Sequence, residues 1–204
     1  MKFYSWRWKL WHWTVDKLIA LAKRTPYFHL HHGDGTLYME RYWLIPWLND
    51  VGSRTMSWWR EPFGWLCQRF GIAMRIHVLH TPDLDRALHD HPWDYISVVL
   101  RGYYTELRPV FNDKPCFEGY TEEAAFSNYR DEGSIAYRHA TDRHRIVRMG
   151  HQCVTLFITG PKRQWWGFYI PSGKVYYKDY DSVHNKVPIG RNELRGEHQE
   201  EGVW

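Results

Sequence analysis

His89-Asp90-His91-Pro92-Trp93-Asp94-Tyr95-Ile96-Ser97-Val98-Val99-Leu100-Arg101-Gly102 joins a histidine pair to an apolar run and a glycine turn. Alternate residues of a strand share a face. A strand beginning near Leu88 therefore puts His89, His91, Trp93, Tyr95, Ser97 and Val99 on one side. Asp90 and Asp94 go to the other, unless a bulge near Pro92 resets the register, so Asp94 is a poor ligand by parity. His144, far along the chain, comes from another strand and can complete three corners of a coordination sphere. Imidazole suits iron, zinc, copper and nickel. His89, His91 and His144 are the predicted metal ligands, with the remaining positions left to water or substrate, as a catalytic metal requires.

The pattern around this stretch is that of short strands. From Ile72 the apolar period becomes two: Met74, Ile76 and Val78 alternate with Arg75, His77 and Leu79. Tyr103 to Val110 is the expected hairpin partner of the Ile96–Leu100 run. Further strands are expected at Ser134–Arg138, Arg145–Arg148, Cys153–Thr159 and Gly167–Ile170. Glycine turns between many short strands imply a barrel or a sandwich. Residues 111–131 read as a long loop or a hairpin extension. Upstream, Trp8, Trp11, Val15, Leu18 and Ala22 recur at helical spacing over residues 5–24, and Pro26 stops the helix. Gly33-Asp34-Gly35 is a turn with short strands beside it. A second helix is expected over 55–70, interrupted near Pro62. Three regions result: a Trp-rich, mostly helical extension (1–70), a β domain (71–182) and a polar C-terminal tail (183–204).

Composition limits the function. The mean hydropathy of −0.62 argues against a membrane span, and the N-terminus does not read as a signal peptide. Residues 1–25 carry six Lys/Arg against one acid, while the whole chain has a net charge of only +4. The basic character is thus local, and a nucleic-acid partner is not expected. Cys67, Cys116 and Cys153 lack metal-knuckle spacing and read as reduced thiols of a cytoplasmic protein. Of the 13 Trp, nine precede residue 66. So many in one region predict a homodimer, since a monomer would expose too large an apolar patch. The basic N-terminal helix suits a membrane surface or a partner interface, or simply a cover for one side of the β domain.

Two stretches resemble the paired motifs of the cupin superfamily. The first is H-x-H, then Glu, then Gly; His89, His91 and Gly102 match, and Tyr95 stands at the Glu position. In the second, Gly133 and His144 match, with His139 and Thr141 replacing the usual Pro and Gly. Gly102-Tyr103-Tyr104-Thr105-Glu106 and Thr159 to Phe168 also resemble a poorly characterised group of bacterial and phage cupin-like proteins. The resemblance covers roughly residues 71–182. It implies an antiparallel cupin-type β-barrel (double-stranded β-helix) holding one divalent metal, and names no substrate.

Several side chains are candidates for the chemistry. Tyr95 shares the histidine face and is a catalytic candidate that would orient bound oxygen or donate a proton. Glu106 is the second, as the partner of a metal histidine or else a solvated strand residue. Arg75, Arg101 and Trp166 are substrate-binding candidates: inward arginines grip anionic groups, and the Trp165-Trp166 pair offers a stacking surface or core. His139 would stand behind the ligands, and His77 would line the cavity or simply be packed in the core. The resemblance implies dioxygenase chemistry with three histidines and no carboxylate, with Fe(II) preferred and Zn, Ni or Mn as alternatives. A metal-dependent isomerase or lyase, a non-catalytic sugar- or nucleotide-binding module, and an inert barrel that docks a partner remain rival readings.

Overall fold

Ala73, Arg75, Ile76, His77, Val78 and Leu79 are all buried, although they alternate between the two faces of one strand. Such a strand must be covered on both sides, and the remaining elements do this. The computed structural model describes residues 3–32, 35–45, 58–59, 61–84, 87–110, 125–170, 173–180 and 191–192. Two helices are present among them, α1 (Phe3–Ala22) and α2 (Glu61–Arg69). Pro62 falls in the first turn of α2, where the missing N–H costs nothing. The strands are β1 (Pro26–His31), β2 (Leu37–Ile45), β3 (Ala73–Leu79), β4 (Leu88–His89), β5 (Trp93–Arg101), β6 (Tyr104–Pro109) and β7 (Ala125–Arg130). They continue as β8 (Ile135–Arg138), β9 (Arg145–Met149), β10 (Cys153–Lys162), β11 (Gly167–Ile170), β12 (Gly173–Tyr176) and β13 (Arg191–Asn192).

The chain is therefore mainly antiparallel β with an N-terminal helix. A seven-stranded sheet has the order β13-β1-β2-β3-β10-β5-β8, and two three-stranded sheets have the orders β12-β11-β4 and β7-β6-β9. The large sheet crosses the boundary expected at residue 71: β1 and β2 belong to it, with Arg41 paired to His77 and Trp43 to Arg75. The expected hairpin of Tyr103–Val110 with Ile96–Leu100 does not form. β5 pairs with β8 and β10, and β6 pairs with β7 and β9. The chain turns at Gly102, with φ of 79°, where a Cβ would stand 2.3 Å from the Gln152 carbonyl oxygen. The chain leaves one sheet there and enters another. Of the segment expected as a long loop or a hairpin extension, residues 125–130 form β7, antiparallel to β6, and 111–124 lie outside the described residues, as does the tail except for β13.

Each face of the large sheet has its own core. On the outer face, Val15 and Ala22 of α1 pack with Tyr42, Ile76, Val78, Leu100 and Val154. Trp11 adds a bond from its indole N–H to the Leu100 carbonyl at 3.0 Å. On the inner face, Met39, Leu79, Val99 and Cys153 meet Tyr104 and Ile146, while Trp93, Tyr95 and Phe157 form a second group. Cys67 and Cys153 are buried free thiols. No helix among the described residues is long and apolar enough to cross a membrane.

Candidate metal centre

Backbone pairing brings the histidines together before any side chain is considered. His89 ends β4, and its N–H donates to the His144 carbonyl at 3.0 Å while the His144 N–H donates back at 2.9 Å. The His91 N–H donates to the Ala140 carbonyl at 3.2 Å. Asp90, between the two, is turned away from the site and is fully buried. Its carboxylate accepts from the Gly167 N–H at 2.8 Å, Gln164 Nε2 at 2.8 Å, the Tyr169 hydroxyl at 2.9 Å and Lys174 Nζ at 2.6 Å. Gln164 Nε2 also donates to the carbonyls of His91 and Ala140. Asp90 thus ties the segment that carries both histidines to β11 and β12.

The three imidazoles converge. The ring centroids of His89, His91 and His144 are 4.8–5.3 Å apart. One nitrogen from each falls in a group spanning no more than 4.8 Å. His91 Nε2 and His144 Nε2 are 2.8 Å apart. Nitrogens that close share either a proton or an ion, and two ligands of one ion at about 2.0–2.1 Å would stand about 3 Å apart. The donor set therefore fits one divalent ion. Among the described residues no carboxylate joins the group.

The far side of His144 is fixed by charge. Glu106, on β6, places Oε2 3.0 Å from His144 Nδ1, and its other oxygen accepts from Arg138 Nη2 and, at 3.4 Å, from Arg130 Nε. Burial alone would raise the Glu106 carboxyl, but the hydrogen bond from His144, then the Arg138 guanidinium, hold it below the usual carboxylate range. An ionised carboxylate only accepts, so His144 carries its proton on Nδ1 and turns the Nε2 lone pair toward His91. His89 is lowered to about 4 by burial and by His144, and His91 is held well below 6.5 by burial and its histidine neighbours. Both are neutral at neutral pH, as ligation requires.

The other predicted residues are placed as follows. Tyr95, buried on β5, has its hydroxyl 3.3 Å from His144 Nε2. Burial and the nearby Glu106 charge push this phenol upward, so it stays protonated. Trp166 stacks on Tyr177 at 4.5 Å, and its ring is 6.2 Å from His89. Arg75 lies between Trp43 and Trp93, 4.6 and 5.0 Å from their ring centres, on the inner face. Arg101 is not brought to the histidines; its Nη2 donates to Asp16 of α1 at 2.8 Å. Asp94 accepts from the Ala140 N–H at 2.8 Å and does not enter the group. His139 is exposed and stands 3.8 Å from Asp94.

Sequence reading did not single out three contributors. The anchoring by Asp90 depends on Lys174 and Gln164, far along the chain. Arg138 is set beside Glu106 by its register opposite Tyr95. Arg41 faces His77 only through the β2–β3 pairing.

No protein-family model matches the chain, and no curated protein matches it. Among solved structures it is similar to a mannose-6-phosphate isomerase-like protein of Ralstonia eutropha (18% identity, 45% of this chain, 75% of that one, TM-score 0.34). It is also similar to the DMSP lyase DddQ of Ruegeria pomeroyi (16% identity, 51% of this chain, 46% of that one, TM-score 0.35). A third is hydroxypropylphosphonic acid epoxidase of S. wedmorenis in complex with fosfomycin (13% identity, 44% of this chain, 43% of that one, TM-score 0.32). The matched part spans less than half the length of the last two. At such low overlap the functional reading rests on this chain's own residues.

Proposed function

We propose that this chain is a cupin-like metalloenzyme that holds one divalent ion on His89, His91 and His144 and acts on a small polar molecule as an Fe(II)-dependent dioxygenase. The observation that carries this reading is the meeting of three imidazoles with Glu106 behind one of them. In this reading the inner face of the strands between residues 71 and 182 is the lining of a cupin-type barrel, with β1 and β2 extending its wall. An ion bound there would supply open positions for oxygen and substrate.

The chain's own groups do the rest. Glu106 fixes the His144 tautomer and aims Nε2 inward. Asp90 holds the segment of His89 and His91 in place. Tyr95 presents a protonated phenol 3.3 Å from His144 Nε2, where it would donate a hydrogen bond to a substrate held beside the histidines. Phe157 and Trp93 pack beside the His91 ring, and Trp166 beside that of His89.

The test is metal analysis of protein purified without added metal, then anaerobic reconstitution with Fe(II) and oxygen uptake against thiols, sugars and nucleotides. Iron with substrate-dependent uptake supports the reading. Tightly bound zinc with no uptake from any compound would sink the dioxygenase. The same ligands would then serve a metal-dependent isomerase or lyase, in which the ion would polarise a substrate oxygen.

A further inference from the structure

The three histidines are not the only polar groups on the inner face. Directly opposite residues of paired strands share a face, with Cβ atoms about 4.5–5.5 Å apart. Arg41 of β2 faces His77 of β3, Trp43 faces Arg75, and Arg75 and His77 stand beside Phe157 and Thr155 of β10. His77 stacks on Phe157 at 4.7 Å, and Phe157 is 6.0 Å from the His91 ring and 4.6 Å from that of Tyr95. Trp93 links the two groups from the other side: Arg75 lies over it, and His91 stacks on it at 6.4 Å. Arg75 and His77 are thus joined to His91 through Trp93 and Phe157, and Arg41 stands opposite His77 across the β2–β3 pairing.

His77 is what marks this as more than packing. It is only 8% exposed, and its Nε2 has no hydrogen-bond partner. A buried ring nitrogen left unsatisfied costs about 1–3 kcal/mol. The structure keeps that cost next to two guanidiniums. Burial first, then Arg41 and Arg75, hold His77 well below 6.5, so the ring is neutral while the positive potential of both arginines reaches it.

We infer that Arg41, Arg75 and His77 form a subsite for the oxyanion end of the substrate, a carboxylate or a phosphate, beside the metal position. The inference rests on the metal-centre reading for the other end of the same molecule. Guanidiniums offer forked donors that match either anion, and neutral His77 with its proton on the unpartnered Nε2 would supply a further donor. The substrate is therefore a small anionic molecule that spans from the arginines to the histidines.

The test measures anion binding and metal content separately. Inorganic phosphate and malonate are titrated calorimetrically into zinc-loaded and chelator-treated protein, for the wild type, Arg41→Gln and His77→Phe. Arg41 is partly exposed and His77→Phe keeps the aromatic stack, so both variants should fold; thermal melting checks this. The expected result is binding of at least one probe by the wild type, weakened about tenfold or more in each folded variant, with zinc content unchanged. Whichever probe binds tells a carboxylate from a phosphate. No binding by the wild type, or equal binding in Arg41→Gln, overturns the subsite. Anion binding that persists in protein unable to hold any metal would support the subsite while removing the metal reading, so the two fail independently.

Discussion

The Glu106 carboxylate touches His144 on the nitrogen that faces away from the ligand group, and this one bond decides which lone pair the ring offers. Glu106→Gln should weaken metal binding about 10–100-fold, read by competition against a chelator of known affinity. An unchanged affinity would mean that the tautomer is fixed by something else. His77 makes a different prediction. Its folded-state pKa lies below the unfolded value of about 6.5. The unfolded chain therefore binds more protons below that pH, so the contribution of neutral His77 is full above about 6.5 and is lost as pH falls. The slope reaches at most about 1.4 kcal/mol per pH unit for one proton. Urea midpoints of metal-free His77→Phe between pH 7.5 and 5.5 should fall less steeply than those of the wild type, and parallel lines would refute this. At this scale the sequence was partly legible. His89, His91 and His144 could be grouped from the two-residue spacing of the pair and the motif spacing of the third, although His91 lies between β4 and β5 and His144 just before β9 rather than on the strands expected. The partners of Glu106 were not legible, because Arg138 and Arg130 reach it from two other strands.

The segment from β4 to β5 behaves as a clip closed from outside. Alternation along β5 is kept as read, with Trp93, Tyr95, Ser97 and Val99 buried on one face and Ile96 exposed on the other. The strand is nevertheless broken between His89 and Trp93, since Asp90 finds its donors on Gln164, Gly167, Tyr169 and Lys174. Pro92 marks a place where the register can reset, but nothing local announces that the break is held by residues more than 70 positions away. Asp90→Ala strands those donors, should cost about 3–5 kcal/mol, and should release metal as well, measured by melting and metal analysis together. A variant that melts normally and keeps its metal would show that the clip is dispensable. The hairpin expected after Gly102 failed for a related reason. A glycine turn reads alike whether the next strand returns beside the first or departs for another sheet, as it does here. Gly102→Ala should lose about 1–3 kcal/mol from its backbone conformation alone, and more from the contact with Gln152. Chemical denaturation checks this, and a loss under 0.5 kcal/mol (about the noise of surface changes) would count against it.

Across the whole molecule, α1 covers an apolar sheet face and also presents Trp6, Trp8 and Trp13 outward, with α2 adding Phe63 and Trp65. The sequence made the helix visible through its spacing. It could not show that the strands after it would join the sheet beneath it, because that pairing is settled only across the chain. These outward rings favour self-association, and we expect a dimer by light scattering at micromolar concentration. A monomeric mass would reject it. The pair of backbone bonds between His89 and His144 has a consequence for how the protein would meet its metal. Two of the three ligand residues are already tied to each other through main-chain atoms that an ion never touches. Loading then asks for little more than side-chain rotation, and little chain entropy remains to be spent. The ion would come and go as a guest in a finished house: stripping it should leave amide hydrogen exchange at His89 and His144 as slow as before, and refolding should run at the same rate with or without it.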